Sequence, residues 1–571
     1  MAIDAKQDIQ SARIPFVGNF LTRITQNPTA YTSISDYSKD QYFQNGVFWQ
    51  SENPVSGKKT MSYVSRPGVY RFLEGIASFL DVARGTIAIR QGDSAIFSSG
   101  ENAVYKNNVK IADIADVSPF KIPQWAETRP GATTQYICFN SGVELVAIDE
   151  SDNVTILKDI DITTASVANP TVITTSTAHG LTTGNYIIIR GMTGSTPDLN
   201  GTRYQVTVTA PTTFTIPVNV TVQGTGGNLG NFPANTGTLQ YMNGYLYTMT
   251  EDGQIYNCDI DDPLMWDPTK VITAQMYGGR WFQLARQNNF LLAFSAFTVQ
   301  AFTDEANPEG SPLQNYESGV QQIGTSPLTN TMVTSGQDIL WMGTTATGQN
   351  TFYKMSGLTS PKDIGTTQIK NLLSALSVRS AAYYKVGGKN LYLIFTGTGV
   401  STTLPQILVY DIDLDLWNFW SFADSTFNFE SAAFYYANEN AYFLNNDGAV
   451  YQMTPRLPQD YTNSYFGASP NAVPFPFAVQ TERIDFGTNE RKFVNRLELI
   501  ADKSSSTSNV NVSYCDDDNV TFSTARTMDT NATRPFLTQG GNFRRRRYKF
   551  SYTGAIPQRW EAFELYFRFG K

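Results

Sequence analysis

The sequence predicts an all-β protein: a β-propeller with an inserted small β-barrel or sandwich module and a C-terminal antiparallel β region. The first observation is a short aromatic hairpin. Asn243-Gly244-Tyr245-Leu246-Tyr247 runs into Asp252-Gly253-Gln254-Ile255-Tyr256, two strands joined by a turn whose Asp-Gly supplies the positive φ of a tight reversal. The second is recurrence. Asp93 to Phe97 leads to Asn102 to Tyr105, Gly142 to Val146 leads to Asp152 to Ile156, and Glu439 to Phe443 leads to Asp447 to Tyr451. A hairpin cannot bury its own apolar face, so a chain that reuses it stacks the copies around a common core. The third is an echo: Ile255 to Asp259 precedes Trp266 as Val409-Tyr410-Asp411 precedes Trp417. A strand, an acidic turn and a returning Trp read as equivalent positions in two blades, with room between them for about three blades of ~40–50 residues.

Taken in order, residues 1–64 read as an N-terminal segment joining the propeller edge, with Phe20 to Thr25 an alternating edge strand before an Asn27-Pro28 turn. Residues 65–161 hold the first blades: Ser65-Arg66-Pro67-Gly68-Val69 enters them, followed by Gly85 to Ile89, two of the hairpins and the apolar run Tyr136 to Asn140. Composition shifts at 162–228, which is Thr/Val-rich and ends in Gly224 to Gly230, a flexible-linker signal. Ala178-His179-Gly180-Leu181 runs through Gly184-Asn185 to Ile189, then Leu199 to Val206 and Thr212 to Ile216, so four or five strands are expected; this His-Gly-Leu…Gly-Asn pattern resembles small β-modules that decorate bacteriophage structural proteins. The propeller resumes over 229–455. One helix is predicted from Thr366 to Ser377, with Ile369, Leu372, Leu373 and Leu376 at helical spacing. In 456–571 the strands lengthen and alternate strictly, as in Arg496 to Ile500, Val510 to Tyr514 and Phe563 to Phe569, which suits a sandwich or a sheet packed on the propeller.

The bulk numbers narrow the function. At 571 residues the chain exceeds one ordinary core, and 41% hydrophobic with 13% aromatic residues supports full folding. Only 16% of residues are charged, so Thr, Ser, Asn and Gln carry the surface, as in proteins largely covered by neighbouring subunits. A net charge of −8 argues against a wrapping or sequence-reading nucleic-acid binder, but suits a passage through which DNA slides without sticking. Residues 1–13 carry no apolar run and no 18 apolar residues run together anywhere, so neither a secretory signal nor a membrane span is expected.

No motif gathers a catalytic, cofactor-binding or metal-binding set, so none is assigned. His179 is the single histidine and precedes a glycine, where a hydrogen bond to backbone is the ordinary role. Cys138, Cys258 and Cys515 lie far apart in apolar runs and read as buried free thiols. Asp259/Asp261/Asp262, Asp411/Asp413/Asp415 and Asp516-Asp517-Asp518 read as solvated turn carboxylates; the second set lacks the glycine and final Glu of a calcium loop. Arg544 to Arg547 is the one basic run, expected to alternate into a strand with two arginines on each face, solvated or in intersubunit salt bridges; phosphate or an acidic neighbour is the alternative contact.

Taken in order, the features resemble the tail hub or nozzle proteins of short-tailed bacteriophages, also called packaged-DNA stabilisation proteins. The resemblance starts with Asp36 to Asp40 and Ser65 to Val69. It continues through Trp281-Phe282, Asn289 to Phe294 and Val299 to Phe302. Ser318-Gly319-Val320, Gly324 and Gln349 to Tyr353 follow, then Ile369 to Leu376, Leu391 to Ile394 and Leu408 to Asp411 with Trp417. It implies a virion-tail structural protein assembled in the host cytoplasm, not an enzyme and without cofactors. It further implies a ring, six-fold by family analogy, that extends the portal and adaptor, retains packaged double-stranded DNA, guides its ejection, and carries fibres, spikes or a needle-like plug. Two rival readings stay open at this point: a carbohydrate-active propeller hydrolase of depolymerase or sialidase type, and a cellular binding propeller.

Overall fold

The structure, a computed structural model, describes residues 9–16, 42–52, 59–76, 85–100, 102–114, 121–128, 135–275, 278–307, 309–327, 329–344, 348–396, 406–422, 427–455, 457–462, 472–516 and 521–570. The Phe20–Thr25 strand expected from the sequence, and Asp36 to Asp40, lie outside them.

Seven antiparallel blades follow one another through 86–113, 124–158, 240–273, 281–321, 333–363, 380–420 and 429–454. The first strand of each blade touches the first strand of the next, and Phe429–Tyr435 of blade 7 meets Thr86–Ile89 of blade 1, so the inner strands form a closed ring. Blade 7 has three strands of its own. Its outer strand is Gly68–Leu73, paired antiparallel to Val450–Thr454 in the register Met453↔Val69. Chain segments nearly four hundred positions apart therefore seal the circle.

The hairpins form where the sequence places them. Tyr245–Met249 and Gln254–Asp259 pair as the second and third strands of blade 3, turning at Gly253 with φ +88°. The copies in blades 1 and 7 occupy the same place. The copy after Gly142 instead joins the third and fourth strands of blade 2, Glu144–Asp149 and Val154–Lys158. Either reversal in a blade has the same turn requirement, so the residue pattern marks a hairpin without saying which one. The Trp266 and Trp417 echoes do sit alike, each on the outer strand of its blade, three blades apart.

Between blades the contacts are largely apolar, with large aromatic side chains among them. Trp281, Trp341 and Trp420 are fully buried, and Phe294 of blade 4 meets Trp341 of blade 5 edge-on at 5.3 Å. Each such side chain contributes about 2–3 kcal/mol, whereas an exposed pair such as Lys362–Asp415 contributes about 1 kcal/mol at most. Inter-blade burial, not surface charge, holds the ring.

The inserted module differs from the expectation of a unit on a flexible linker. Its sheet runs Thr207–Ala210, Thr213–Ile216, Thr171–Thr175, Ile162–Ala165, Gly224–Thr225. Tyr186–Ile188 and Arg203–Gln205 instead extend blade 2, the former parallel to Val154–Lys158. Ile173, Ile187, Phe214 and Ile216 share one core with Ile137, Val146 and Ile148 of blade 2 and Phe97 of blade 1. Gly224 to Gly230 is no loose tether: Asn228 N–H donates to Arg190 O at 2.7 Å and Leu229 N–H to Ile160 O at 3.0 Å. Glycine there serves close backbone pairing rather than slack.

A sandwich closes the molecule. One sheet holds Gly46–Glu52, Lys59–Ser65, Arg559–Phe569, Lys492–Ala501 and Phe536–Thr538, with Gln10–Pro15 also paired to Arg559–Phe569. The other holds Tyr42–Gln44, Pro476–Gln480, Arg546–Thr553, Asn509–Asp516 and Arg526–Asp529. Phe16, Phe43, Tyr63, Phe477, Phe550, Trp560 and Phe563 fill the space between them. The N-terminal segment thus meets the propeller edge through Gln44↔Phe419 on blade 6, while most of its strands belong to this sandwich. The helix is shorter than its apolar spacing suggested, Thr367–Leu373, with the Thr366 hydroxyl accepting from Ile369 N–H at 3.3 Å.

Candidate functional site

Inner strands begin at one end of the propeller axis, and amides or acids recur at or near their starts: Gln124 and Gln240 open the inner strands of blades 2 and 3, Gln283 is third in Trp281–Gln287 of blade 4 and Glu430 is second in Phe429–Tyr435 of blade 7. Gln283 Nε2 donates to Asn330 Oδ1 at 3.1 Å, and Gln124 Nε2 reaches the same oxygen at 3.4 Å. Gln124 Oε1 in turn accepts from Thr238 Oγ1, Leu239 N and Gln240 Nε2 at 3.0–3.2 Å. Gln124 opens blade 2 and Asn330 lies in the connection leading into blade 5, so these bonds bridge across the ring and stopper its axis.

Beside the stopper lies a cavity of about 280 Å³ lined by residues of blades 1, 2, 6 and 7 and by Asn330. Glu430 is buried there and forms an ion pair with Arg379 through Oε1, while Oε2 accepts no hydrogen bond from the protein. The Ser380 hydroxyl donates to Glu430 O at 2.6 Å, tying blade 6 to blade 7. Glu430 is the one carboxylate on the described lining, so the paired acids of a glycosidase are not assembled there.

A second centre joins propeller to sandwich. Arg66 is 1% exposed and all five of its N–H groups are engaged. Nη1 and Nη2 hold Asp460 Oδ1 and Oδ2 at 2.9 and 2.6 Å. Nη1 also donates to Pro67 O, Nη2 to Ser421 O at the end of blade 6, and Nε to Asn45 Oδ1. The rings of Phe422 and Phe475 cover its two faces at 4.4 and 3.9 Å. Such a planar fork, saturated and stacked, suits Arg and not Lys. The sequence offered Arg66 only as part of a turn; nothing in its spacing points to Asp460.

The remaining candidates separate. His179 is buried in the module, its Nδ1 accepting from Leu181 N–H at 3.0 Å and its Nε2 3.0 Å from Ala210 O, and burial lowers its pKa, so it stays neutral as the expected backbone anchor. Cys138, Cys258 and Cys515 are buried free thiols; burial pushes Cys258 up to about 12. Asp259 pairs with Lys270 at 2.6 Å, and among the described residues no group of acids, His and Cys forms a metal site. Asp517 and Asp518 lie outside the described residues.

Two expectations of solvated charge need correction. Arg546 and Arg547 are fully buried, because their strand lies inside its sheet with both faces covered. Arg546 clasps Asp516 at 2.5 and 2.8 Å over the Tyr514 ring, and Arg547 donates to Cys515 Sγ at 3.4 Å; only Arg544 is fully exposed. Asp411 is 1% exposed rather than solvated; its Oδ1 accepts from Asp413 and Leu414 N–H, its Oδ2 from nothing, and burial raises its pKa from 3.8 to about 6. The folded state therefore keeps a proton there that the unfolded chain has lost, and stability falls as pH rises from about 4 to about 6. Asp411→Asn should gain about 2–3 kcal/mol relative to wild type between pH near 4 and neutral pH, read by urea denaturation at both.

Similarity to known proteins follows the propeller. The family Phage_stabilise, described as "Bacteriophage P22 Gp10, beta-propeller", matches residues 213–413. Residues 213–413 are similar to a phage propeller. The match spans about a third of the chain, from the last long strand of the module through blades 3, 4 and 5 into blade 6. No curated protein matches the chain. Among solved structures, BamB from Moraxella catarrhalis aligns with TM-score 0.32 at 10% identity, over 68% of this chain and 99% of that one. The N-terminal domain of Nup159 aligns with TM-score 0.34 at 11% identity, over 72% and 98%. The Pan2 WD40 domain of Neurospora crassa aligns with 0.33 at 9%, over 69% and 95%. Scores at this level leave the fold to rest on the strand pairing itself. No helix among the described residues is long and apolar enough to cross a membrane.

Proposed function

We propose that the chain is a structural subunit of the tail of a short-tailed bacteriophage, forming the nozzle or hub. The match of residues 213–413 to the P22 Gp10 propeller family carries this reading. In it, copies of the chain form a ring, six-fold by family analogy, that continues the portal and adaptor channel, retains packaged DNA, guides its exit and anchors fibres, spikes or a plug. Because each propeller axis is stoppered by Gln124, Gln283 and Asn330, DNA in this reading passes along a lumen walled by neighbouring subunits. The sparse charge of the chain, 16% of residues, then favours wide uncharged contacts repeated by symmetry. Mass photometry of purified protein with its adaptor tests the assignment. Rings near six times the 63.3 kDa chain mass are expected; a species that stays monomeric with adaptor present counts against it.

A further inference from the structure

Two exposed surfaces of opposite charge belong to opposite sides of the ring. Blades 3 and 4, residues 240–321, carry ten Asp/Glu against three Lys/Arg, whereas residues 472–571 carry fifteen Lys/Arg against eleven Asp/Glu. The sandwich that holds the latter is attached at blades 6 and 7, across the seven-blade circle from blades 3 and 4. On the acidic side, Ile260 and Asp261 make the turn between the third and fourth strands of blade 3, and residues 305–312 make the same connection in blade 4. Ile260 is 60% exposed and lies against Gly244, whose neighbour Asn243 donates to Asp304 Oδ2 at 2.9 Å. That bond joins the two turns into one surface, on which Asp261, Glu305 and Glu309 are exposed. The three bases of these blades are engaged elsewhere: Lys270 with Asp259 at 2.6 Å, Arg280 with Glu251 at 2.7 Å, and Arg286 with the Asn288 and Tyr241 carbonyls. The turns therefore keep a negative charge around an apolar side chain.

The edge of the larger sandwich sheet, Phe536–Thr538 and Asn542–Phe543, is its counterpart. Phe536 is 49% exposed, with the Arg496 guanidinium 4.1 Å from its ring. Arg496 and Arg534 share one carboxylate, Glu498, at 2.8 and 2.6 Å. Arg526 donates to the Thr538 carbonyl at 2.7 Å rather than to an acid, and Arg544 is exposed. Even with Glu564 opposite Glu498 on the neighbouring strand, guanidinium groups outnumber carboxylates here. Each surface thus sets an exposed apolar side chain among charges of one sign, and the signs are complementary, as at interfaces with an apolar anchor and a charged rim. We infer that the sandwich edge of one copy of this chain seats on the blade 3 and 4 turns of the next, a contact that rests on the ring reading given above. Two different surfaces on opposite sides of a subunit make a head-to-tail contact, which repeats and closes into a ring.

Charge reversal in the full chain, read by mass photometry with adaptor present, tests it. Arg526→Glu with Arg544→Glu reverses the sandwich edge, and Glu305→Lys with Glu309→Lys reverses the turns; all four side chains are exposed, so both variants should keep the wild-type urea midpoint. Each variant alone sets like charges across the contact and should lower the yield of rings on the order of tenfold. The milder Arg526→Gln with Arg544→Gln should fall between that variant and wild type. An equimolar mixture of the two reversed variants should restore rings. In the mixture each reversed surface meets its reversed opposite and the untouched surfaces meet each other, alternating around an even-numbered ring. A surface needed only for folding or for the adaptor is not rescued by mixing, so failure of the mixture overturns the contact. Rings formed by either variant as readily as by wild type overturn it too, and leave the tail reading standing. Wild type that stays monomeric with adaptor present defeats the tail reading and this contact together.

Discussion

Arg66→Ala is expected to cost about 3–5 kcal/mol, because it strands a buried carboxylate. Asp460 has no exposure, and besides Arg66 its carboxylate accepts from Val69 N–H at 3.2 Å. The same change uncaps Ser421 O, leaves Asn45 Oδ1 with the Ser421 N–H alone, and opens the gap beside Phe422 and Phe475. Those groups belong to blade 6, the N-terminal segment and the connection to the sandwich, so the loss should appear as uncoupling. Urea unfolding followed by tryptophan fluorescence should show one transition in wild type and two in the variant, with the sandwich and propeller separating. Arg66→Lys keeps the charge but cannot fork, and should recover less than half of the loss. A variant within 1 kcal/mol of wild type would mean that the pair does not hold the two parts together.

Gly324→Ala should be nearly as damaging, for a different reason. Gly324 lies between blades 4 and 5, where its Cα faces the backbone of Ser295, Ala296 and Phe297 so closely that a Cβ would overlap all three residues. Its carbonyl accepts from Trp341 Nε1 at 3.1 Å, and Thr325 N–H donates to Ser295 O at 2.9 Å, so the segment cannot move aside without breaking both. Backbone gives way far less than a side chain does, and a cost of about 3 kcal/mol or more is expected, read as a fall in urea midpoint at unchanged slope. Gly278→Ala is the control: a Cβ there meets nothing within 4 Å, and the midpoint should scarcely move.

What could be read from the residues was whatever repeats locally. The Asp-Gly and Asn-rich reversals announced hairpins because a positive φ restricts the residue types allowed, and the Trp266 and Trp417 echo located two blades three apart because the same fold position needs the same filler. The helix was legible from Ile369, Leu372 and Leu373, all buried as the spacing required. Positions decided by distant pairing stayed hidden. Nothing near Gly68–Leu73 says that its partner is Val450–Thr454, and nothing in Arg546-Arg547 says that their strand is interior to its sheet. The axial stopper had a faint trace, since Gln124 and Gln240 open inner strands and Gln283 and Glu430 lie near the starts of theirs, but amides at strand starts also occur for solvation. The Glu430 cavity therefore emerges only once the ring is closed.

The order in which partners are synthesised has a consequence for how the molecule matures. Gln10–Pro15 waits for Arg559–Phe569, and Gly68–Leu73 waits for Val450–Thr454. A ribosome emits the waiting strands first and their mates late, so the circle can close only after Val450–Thr454 is made and the sandwich only after Arg559–Phe569. A polypeptide ending before Val450–Thr454 leaves Gly68–Leu73 without its mate and the circle unsealed, with open strand edges of the kind that pair with other chains.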